Sequence, residues 1–386
     1  MEYLLAPAAC ELPGPFELID APETIDDAAA LLERFGAAAS GPGPVTPVLA
    51  TPQWPSWVFG PRRAELPEHA RVLLVPDGNV WGFTAFARAL AKWPSVACSG
   101  PIGPDEARDH VTQFGKIAVD EGILVERDRD TLRFLQQRAA AHPEAVAAVR
   151  ALLADEVSRA TYDRLIYGTL SDLFEHYVRT VGRTVQYFEC LRWSPGMVIV
   201  NGGVQEGFEL PYFAALTGGD LRVISADPSG FDRLSGFARP IVEALPGAFV
   251  EVREALWSHG GRVRLPITDD GTVLSQYKDR NLHHFEEVES PCTSVDGLVA
   301  AQRLERVDLV KLDVEGAEPA VIDGMTATLA RHRPQLAISI YHWPEHMWEL
   351  PLRLAAMLDD YDFHVRHYSY GRWECILYAV PRERLP

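Results

Sequence analysis

Apolar and polar positions alternate along this chain in a strand–helix rhythm. The tract Val307-Asp-Leu-Val-Lys-Leu-Asp313-Val-Glu315-Gly316-Ala-Glu318 shows it best. Val307, Leu309, Val310, Leu312 and Val314 carry the β-leaning content of a buried strand. The run then ends in carboxylates and turns at Gly316 into a helix whose first turn welcomes Glu318. The same alternation predicts strands over 197–200, 221–225, 248–252, 306–314 and 336–342. Helices are predicted over 208–217, 230–244, 296–302, 319–332 and 350–359. Two strands, 363–369 and 374–380, close the chain around a Tyr370-Gly371-Arg372 turn. Alternating strands and helices imply a mainly parallel sheet covered on both faces, and the last pair implies an antiparallel hairpin.

Upstream the pattern is weaker. Residues 1–44 are Ala-rich, with one helical patch over 23–35, and 37–47 is a Gly/Pro/Ser-rich linker. Strands are predicted over 71–75, 95–98 and 122–125, with a helix over 81–92. A helical run over 131–154 is broken near Pro143, and another follows over 155–183. The reading therefore divides the chain into an N-terminal helical or irregular segment (1–44), a small α/β auxiliary domain (45–140), a helical connector (141–190) and a ligand-binding α/β domain (191–386). The auxiliary domain is read as covering a substrate or forming a homo-oligomer.

Composition narrows the partners. A net charge of −18 disfavours nucleic acid and anionic membranes, which need Lys and Arg in excess. No stretch approaches the roughly 20 apolar residues that span a bilayer, and the N-terminus is a poor secretory signal. The five Cys are scattered without a CxxC, so neither a disulfide framework nor a Cys-rich zinc site is expected, and a reducing cytoplasm is the expected compartment. A small molecule is the expected partner.

In open α/β sheets ligands bind at the carboxyl ends of strands. One such end is Asn201-Gly202-Gly203-Val-Gln205-Glu206-Gly207, a glycine-rich turn before a helix. Its Gly-x-x-x-Gly spacing is not the GxGxxG of dinucleotide folds. Asp227, at the tip of the next strand, can accept two ribose hydroxyls, or it can simply cap the turn before Pro228. Ala255 and Trp257 follow the third strand, where an adenine could lie, although Trp257 also suits a core. Asp313 and Glu315 are acids on an apolar strand and must meet something polar. They are read as orienting a substrate hydroxyl or holding a divalent cation, with a Lys311–Asp313 ion pair as the competing account. His342, at a strand tip, and His367, on the following strand, are the candidate general bases, because an imidazole titrates near neutral pH. Both also suit plain packing roles. His342 and His346 have metal-ligand spacing for a helix, but Pro344 between them argues against a continuous one.

Taken together, residues 152–381 resemble the FkbM family of S-adenosylmethionine-dependent methyltransferases. The resemblance is carried by Leu153–Arg159, Tyr187-Phe188, the glycine turn, Ala226-Asp-Pro228, Lys311–Glu318, Leu336–His342, His367–Tyr370 and the last strand. It implies a Rossmann-like class I methyltransferase sheet with a C-terminal antiparallel hairpin. It implies cofactor contacts from Asn201, Gly203, Gln205, Gly207, Asp227, Ala255, Trp257 and Asp313. The family usually has Asp where Asn201 stands and Glu where Asp227 stands, so cofactor affinity is in question. Some relatives acting on sugars are Mg-dependent, which makes Mg a further expectation. The expected reaction is O-methylation of a hydroxyl, on a sugar or other group, in a small specialised metabolite. The alternatives are a nitrogen or carboxylate acceptor on a peptide or amine, and a degenerate module that binds S-adenosylmethionine without catalysis.

Overall fold

The computed structural model describes residues 4–5, 18–19, 123–170, 172–173, 176–177, 186–236, 238–268, 285–369 and 371–384. The elements predicted over 23–35, 71–75, 81–92 and 95–98 lie outside the described residues. Near the N-terminus, β1 (Leu4–Leu5) and β2 (Leu18–Ile19) pair in parallel.

Three helices precede the main sheet: α1 (Ile123–Ala140), α2 (Pro143–Leu152) and α3 (Glu156–Tyr167). Helix α1 starts where a strand was expected over 122–125. Four apolar residues cannot distinguish the two states, and the charged, helix-favouring residues after them extend the helix back. Pro143 opens α2 at a position where no N–H is needed. Asp155 caps α3 by accepting the Ser158 amide at 2.6 Å. The helical run predicted over 155–183 is interrupted after Tyr167 by Gly168 and Thr169, and Leu170, Asp172, Leu173, His176 and Tyr177 are helical again.

The main sheet contains β3 (Met197–Gly202), β4 (Leu221–Ala226), β5 (Phe249–Val252), β9 (Leu309–Leu312), β10 (Gln335–Ser339), β11 (Tyr361–His367) and β12 (Cys375–Pro381). Their order is β11-β12-β10-β9-β3-β4-β5. Neighbours from β10 to β5 run parallel, and β12 is antiparallel to both β10 and β11. The predicted hairpin is therefore present, with its second strand inserted between β11 and β10. Strands β9, β10 and β12 are buried along their whole length, as central strands covered on both faces must be.

Between these elements lie α4 (Glu209–Thr217), α5 (Arg239–Ala244), α6 (Val295–Ala301), α7 (Glu318–Asp323), α8 (Thr326–His332) and α9 (His346–Met357). The helix expected over 319–332 is broken in two at Gly324. A Cβ there would stand 2.3 Å from the Trp257 carbonyl, so close packing fixes the break. The helix expected over 230–244 survives only as α5.

A second sheet was not anticipated. Strands β6 (Ala255–Leu256), β7 (Gly261–Thr268) and β8 (Phe285–Thr293) are ordered β6-β8-β7, with β7 and β8 antiparallel. Leu265 and Cys292 form a small core with Ala255, against which Trp257 packs. The sequence pattern predicted no strand over 261–268 or 285–293, where this ribbon lies. Among the described residues no helix is long and apolar enough to cross a membrane.

Candidate functional site

Strands β3 and β9 are neighbours whose chains continue to opposite sides of the sheet, so a crevice opens beyond their carboxyl ends. The two strand tips touch there. Gly203 has φ +75°, and a Cβ on it would fall 1.8 Å from the Asp313 carbonyl oxygen. Only glycine satisfies both conditions. Lys311, 2% exposed, holds the same junction from below. Its Nζ donates to the Gly203 carbonyl at 2.5 Å and the Gly202 carbonyl at 3.3 Å, and lies 3.9 Å from Glu209 Oε1. Lys311 therefore binds the glycine turn, although its charge also helps to hold Asp313 ionised.

A cavity of about 580 Å3, counting the part open to solvent, lies on this junction. That is within the range of ligand sites, roughly 300–1,000 Å3. Gly203, Gln205, Asp227, Asp313 and Glu315 line its polar side, and Ala255, Leu256, Trp257 and Leu265 its apolar side. Of the residues the sequence nominated for the cofactor, Asn201 and Gly207 are not in the lining. Asn201 is fully buried, and its amide donates to Glu209 Oε1 at 2.7 Å. Gly207 has φ +68°, and a Cβ there would strike Leu234, so its requirement is backbone shape and packing.

Asp227 is already engaged. Oδ2 accepts the Val204 amide at 2.8 Å and the Gln205 amide at 3.3 Å, while Oδ1 accepts the amide and hydroxyl of Ser229 at 2.8 and 2.5 Å. Turn-capping and ligand-facing readings both apply, since the residue lines the cavity while it fastens the glycine turn.

Asp313 is the centre of a second network. The Tyr187 hydroxyl donates to its Oδ2 at 2.6 Å and the Tyr341 hydroxyl to its Oδ1 at 3.1 Å. Burial, reinforced by the Asp313 charge, pushes both phenols well above their ordinary range, so both remain donors. Burial raises the Asp313 carboxyl, but the charges of His342 and Lys311 outweigh it and hold the group below the usual carboxylate value.

His342 is 1% exposed and stands among three carboxylates. Its Nε2 lies 3.5 Å from Asp313 Oδ1 and 3.4 Å from Glu315 Oε2, and its Nδ1 lies 2.9 Å from Glu318 Oε1. No oxygen is aligned for a hydrogen bond with either nitrogen. Burial alone would lower the imidazole pKa, but the charges of Glu318 and Glu315 raise it well above its ordinary value. An imidazolium has no lone pair with which to take a proton, which counts against the expected general base. His367 does not line the cavity. It is buried, and its Nε2 donates to the Gly371 carbonyl at 2.6 Å.

Glu318 was read as a first-turn helix acid. It does begin α7, but it is fully buried, accepts the Val314 amide at 3.1 Å and faces both His342 and His346. His346 begins α9 after an irregular turn at Pro344, so the two imidazoles meet one carboxylate without sharing a helix. Asp313, Glu318 and His342 place one donor atom each within 4.8 Å of one another. From the sequence Tyr187 had no chemical role, Lys311 was weighed only as an ion-pair partner of Asp313, and Glu318 only as a first-turn helix acid. Tyr187 lies 126 residues from its partner, and no local pattern could connect them.

Residues 256–365 match the methyltransferase FkbM domain model. No curated protein matches the chain. A solved structure, the methyltransferase FkbM from Methylobacillus flagellatus KT, is similar over 91% of this chain and 98% of its own, at 16% identity and a TM-score of 0.48. The match makes residues 256–365 of this chain similar to the methyltransferase FkbM domain.

Proposed function

We propose that the chain is an S-adenosylmethionine-dependent O-methyltransferase acting on a hydroxyl of a small metabolite such as a sugar. One observation carries the reading. A single cavity at the β3–β9 junction is lined by the apolar Ala255, Leu256, Trp257 and Leu265 together with the carboxylates of Asp227, Asp313 and Glu315. The apolar wall of Ala255, Leu256, Trp257 and Leu265 suits an adenine. Asp227 suits ribose hydroxyls once its longer bond, to Gln205 at 3.3 Å, gives way.

The bound cofactor would supply an electrophilic methyl group and a thioether leaving group. The protein's share is alignment and charge. Asp313, fixed by two phenols, would accept a hydrogen bond from the acceptor hydroxyl and orient it. Glu315, 22% exposed on the cavity wall, would take the proton as the O–C bond forms. In the ion-free protein His342, as the imidazolium, offsets the charge of these acids and holds Asp313 ionised.

Calorimetry on the pure protein with S-adenosylmethionine and S-adenosylhomocysteine tests the cofactor. Binding of neither would end the proposal. A nitrogen acceptor is the second reading. It is favoured by the protonated state of His342, because an amine needs less help from a base. Glu315→Gln separates the two: kcat should fall by tenfold or more for a hydroxyl acceptor and hardly change for an amine.

A further inference from the structure

The group of Asp313, Glu318, Glu315 and His342 is not explained by substrate orientation alone. Glu318 is fully buried, and a buried carboxylate requires compensation. Three carboxylates face one imidazole, so even with His342 charged the group retains a negative excess. Lys311 is committed to the carbonyls of Gly202 and Gly203 and to Glu209. Polar atoms remain unsatisfied: both nitrogens of His342 and Oε2 of Glu318 are buried without a hydrogen-bond partner. His346 Nδ1 is in the same condition, 3.5 Å from Glu318 Oε2.

We propose that Asp313, Glu318 and His342 form a binding site for a divalent transition-metal ion, which on binding displaces the His342 proton and takes the place of its charge. One donor atom from each lies within 4.8 Å of the others. Metal–nitrogen and metal–oxygen bonds of about 2.0–2.2 Å put two donors of one ion roughly 3–4 Å apart. The 3.5 Å between His342 Nε2 and Asp313 Oδ1 already falls in that range, whereas it is too long and misaligned for a hydrogen bond. The donor set selects the metal. An imidazole beside carboxylates suits Mn2+, Fe2+, Co2+ or Zn2+, whereas Mg2+ prefers oxygen alone. The Mg expectation is thereby replaced by a softer ion. Asp313 also lines the cavity, so the ion would stand at its wall with a coordination position facing the acceptor. That last role rests on the proposed O-methyl transfer, while the site itself does not.

The test is metal content and affinity of the full chain, stripped with EDTA and titrated separately with Mn2+, Co2+, Zn2+ and Mg2+. The expected result is one Mn2+, Co2+ or Zn2+ per chain, bound at least tenfold more tightly than Mg2+. Co2+ should give the visible absorption of a nitrogen- and oxygen-ligated ion. Affinity should fall at least 30-fold in Glu318→Gln and His342→Ala. If either buried variant fails to fold, Asp313→Asn, whose side chain is 23% exposed, decides in its place. Absence of saturable binding, equal binding of Mg2+, or unchanged affinity in folded variants would overturn the site. Calorimetry with S-adenosylhomocysteine on the stripped protein reads the cofactor proposal separately, so the two can fail independently.

Discussion

Gly203 concentrates two demands on one atom. Its backbone is in the left-handed region, and the space a Cβ would need is held by the Asp313 carbonyl. Gly203→Ala should therefore cost about 2–4 kcal/mol and abolish the proposed cofactor binding, because the tips of β3 and β9 must separate. Urea denaturation and calorimetry measure the two effects, and a variant that binds normally would show the strand junction to be pliable. Tyr187→Phe makes a softer change. It removes a donor from an ionised carboxylate and should cost about 1.5–3 kcal/mol, with Asp313 becoming easier to protonate. A denaturation midpoint equal to that of the parent would count against this. Gly203, Asp227 and Asp313 were legible in the sequence because each sits at a strand end, where local pattern and topology agree. Tyr187 was not legible in role, nor was the charge state of His342. Both depend on residues that only the folded chain brings together.

At the scale of elements, the parallel strands were legible because long apolar runs ending in turns have few other meanings. The β7–β8 ribbon was missed although Val263, Leu265 and Ile267 alternate with polar residues, as a half-buried strand requires. Gly260, Gly261 and Pro266 concealed it. Pro266 is tolerated because the ribbon has no further partner strand beyond β7 among the described residues. The split of 319–332 into α7 and α8 was also hidden, since it depends on contact with Trp257. The ends created by that split need partners of their own. Asp296, in the first turn of α6, supplies them: its carboxylate accepts the Ala327 amide at 3.0 Å, and the Thr328 amide and hydroxyl at 2.7 and 2.6 Å. Asp296→Ala should lower stability by about 1–2 kcal/mol, and Asp296→Asn by less, as read from thermal melts. Equal loss in both variants would mean that charge, not bonding, is what matters there.

For the whole molecule, acid should be destabilising through a group outside the cavity lining. His367 is buried with its Nε2 proton on the Gly371 carbonyl and its Nδ1 unpartnered. Burial, the largest influence, pushes its pKa down to about 3, against 6.5 for the free side chain. Between those values the unfolded chain binds the proton and the folded chain does not. Stability from this group is complete above pH 6.5 and is lost as pH falls toward 3. At pH 4.5 the loss is about 2–3 kcal/mol. His346, pushed down to about 4, adds in the same direction. His342 acts in reverse, since its raised pKa favours folding below pH 6.5 and that contribution fades as pH rises through the folded value. Carboxylates elsewhere also titrate in acid, so the informative quantity is a difference between proteins. His367→Gln keeps a donor for Gly371 and cannot take up a proton. On passing from pH 7 to pH 4.5 it should lose about 2–3 kcal/mol less than the parent in urea unfolding. Parallel losses in the two proteins would mean that the hairpin opens to water around His367 before the molecule unfolds.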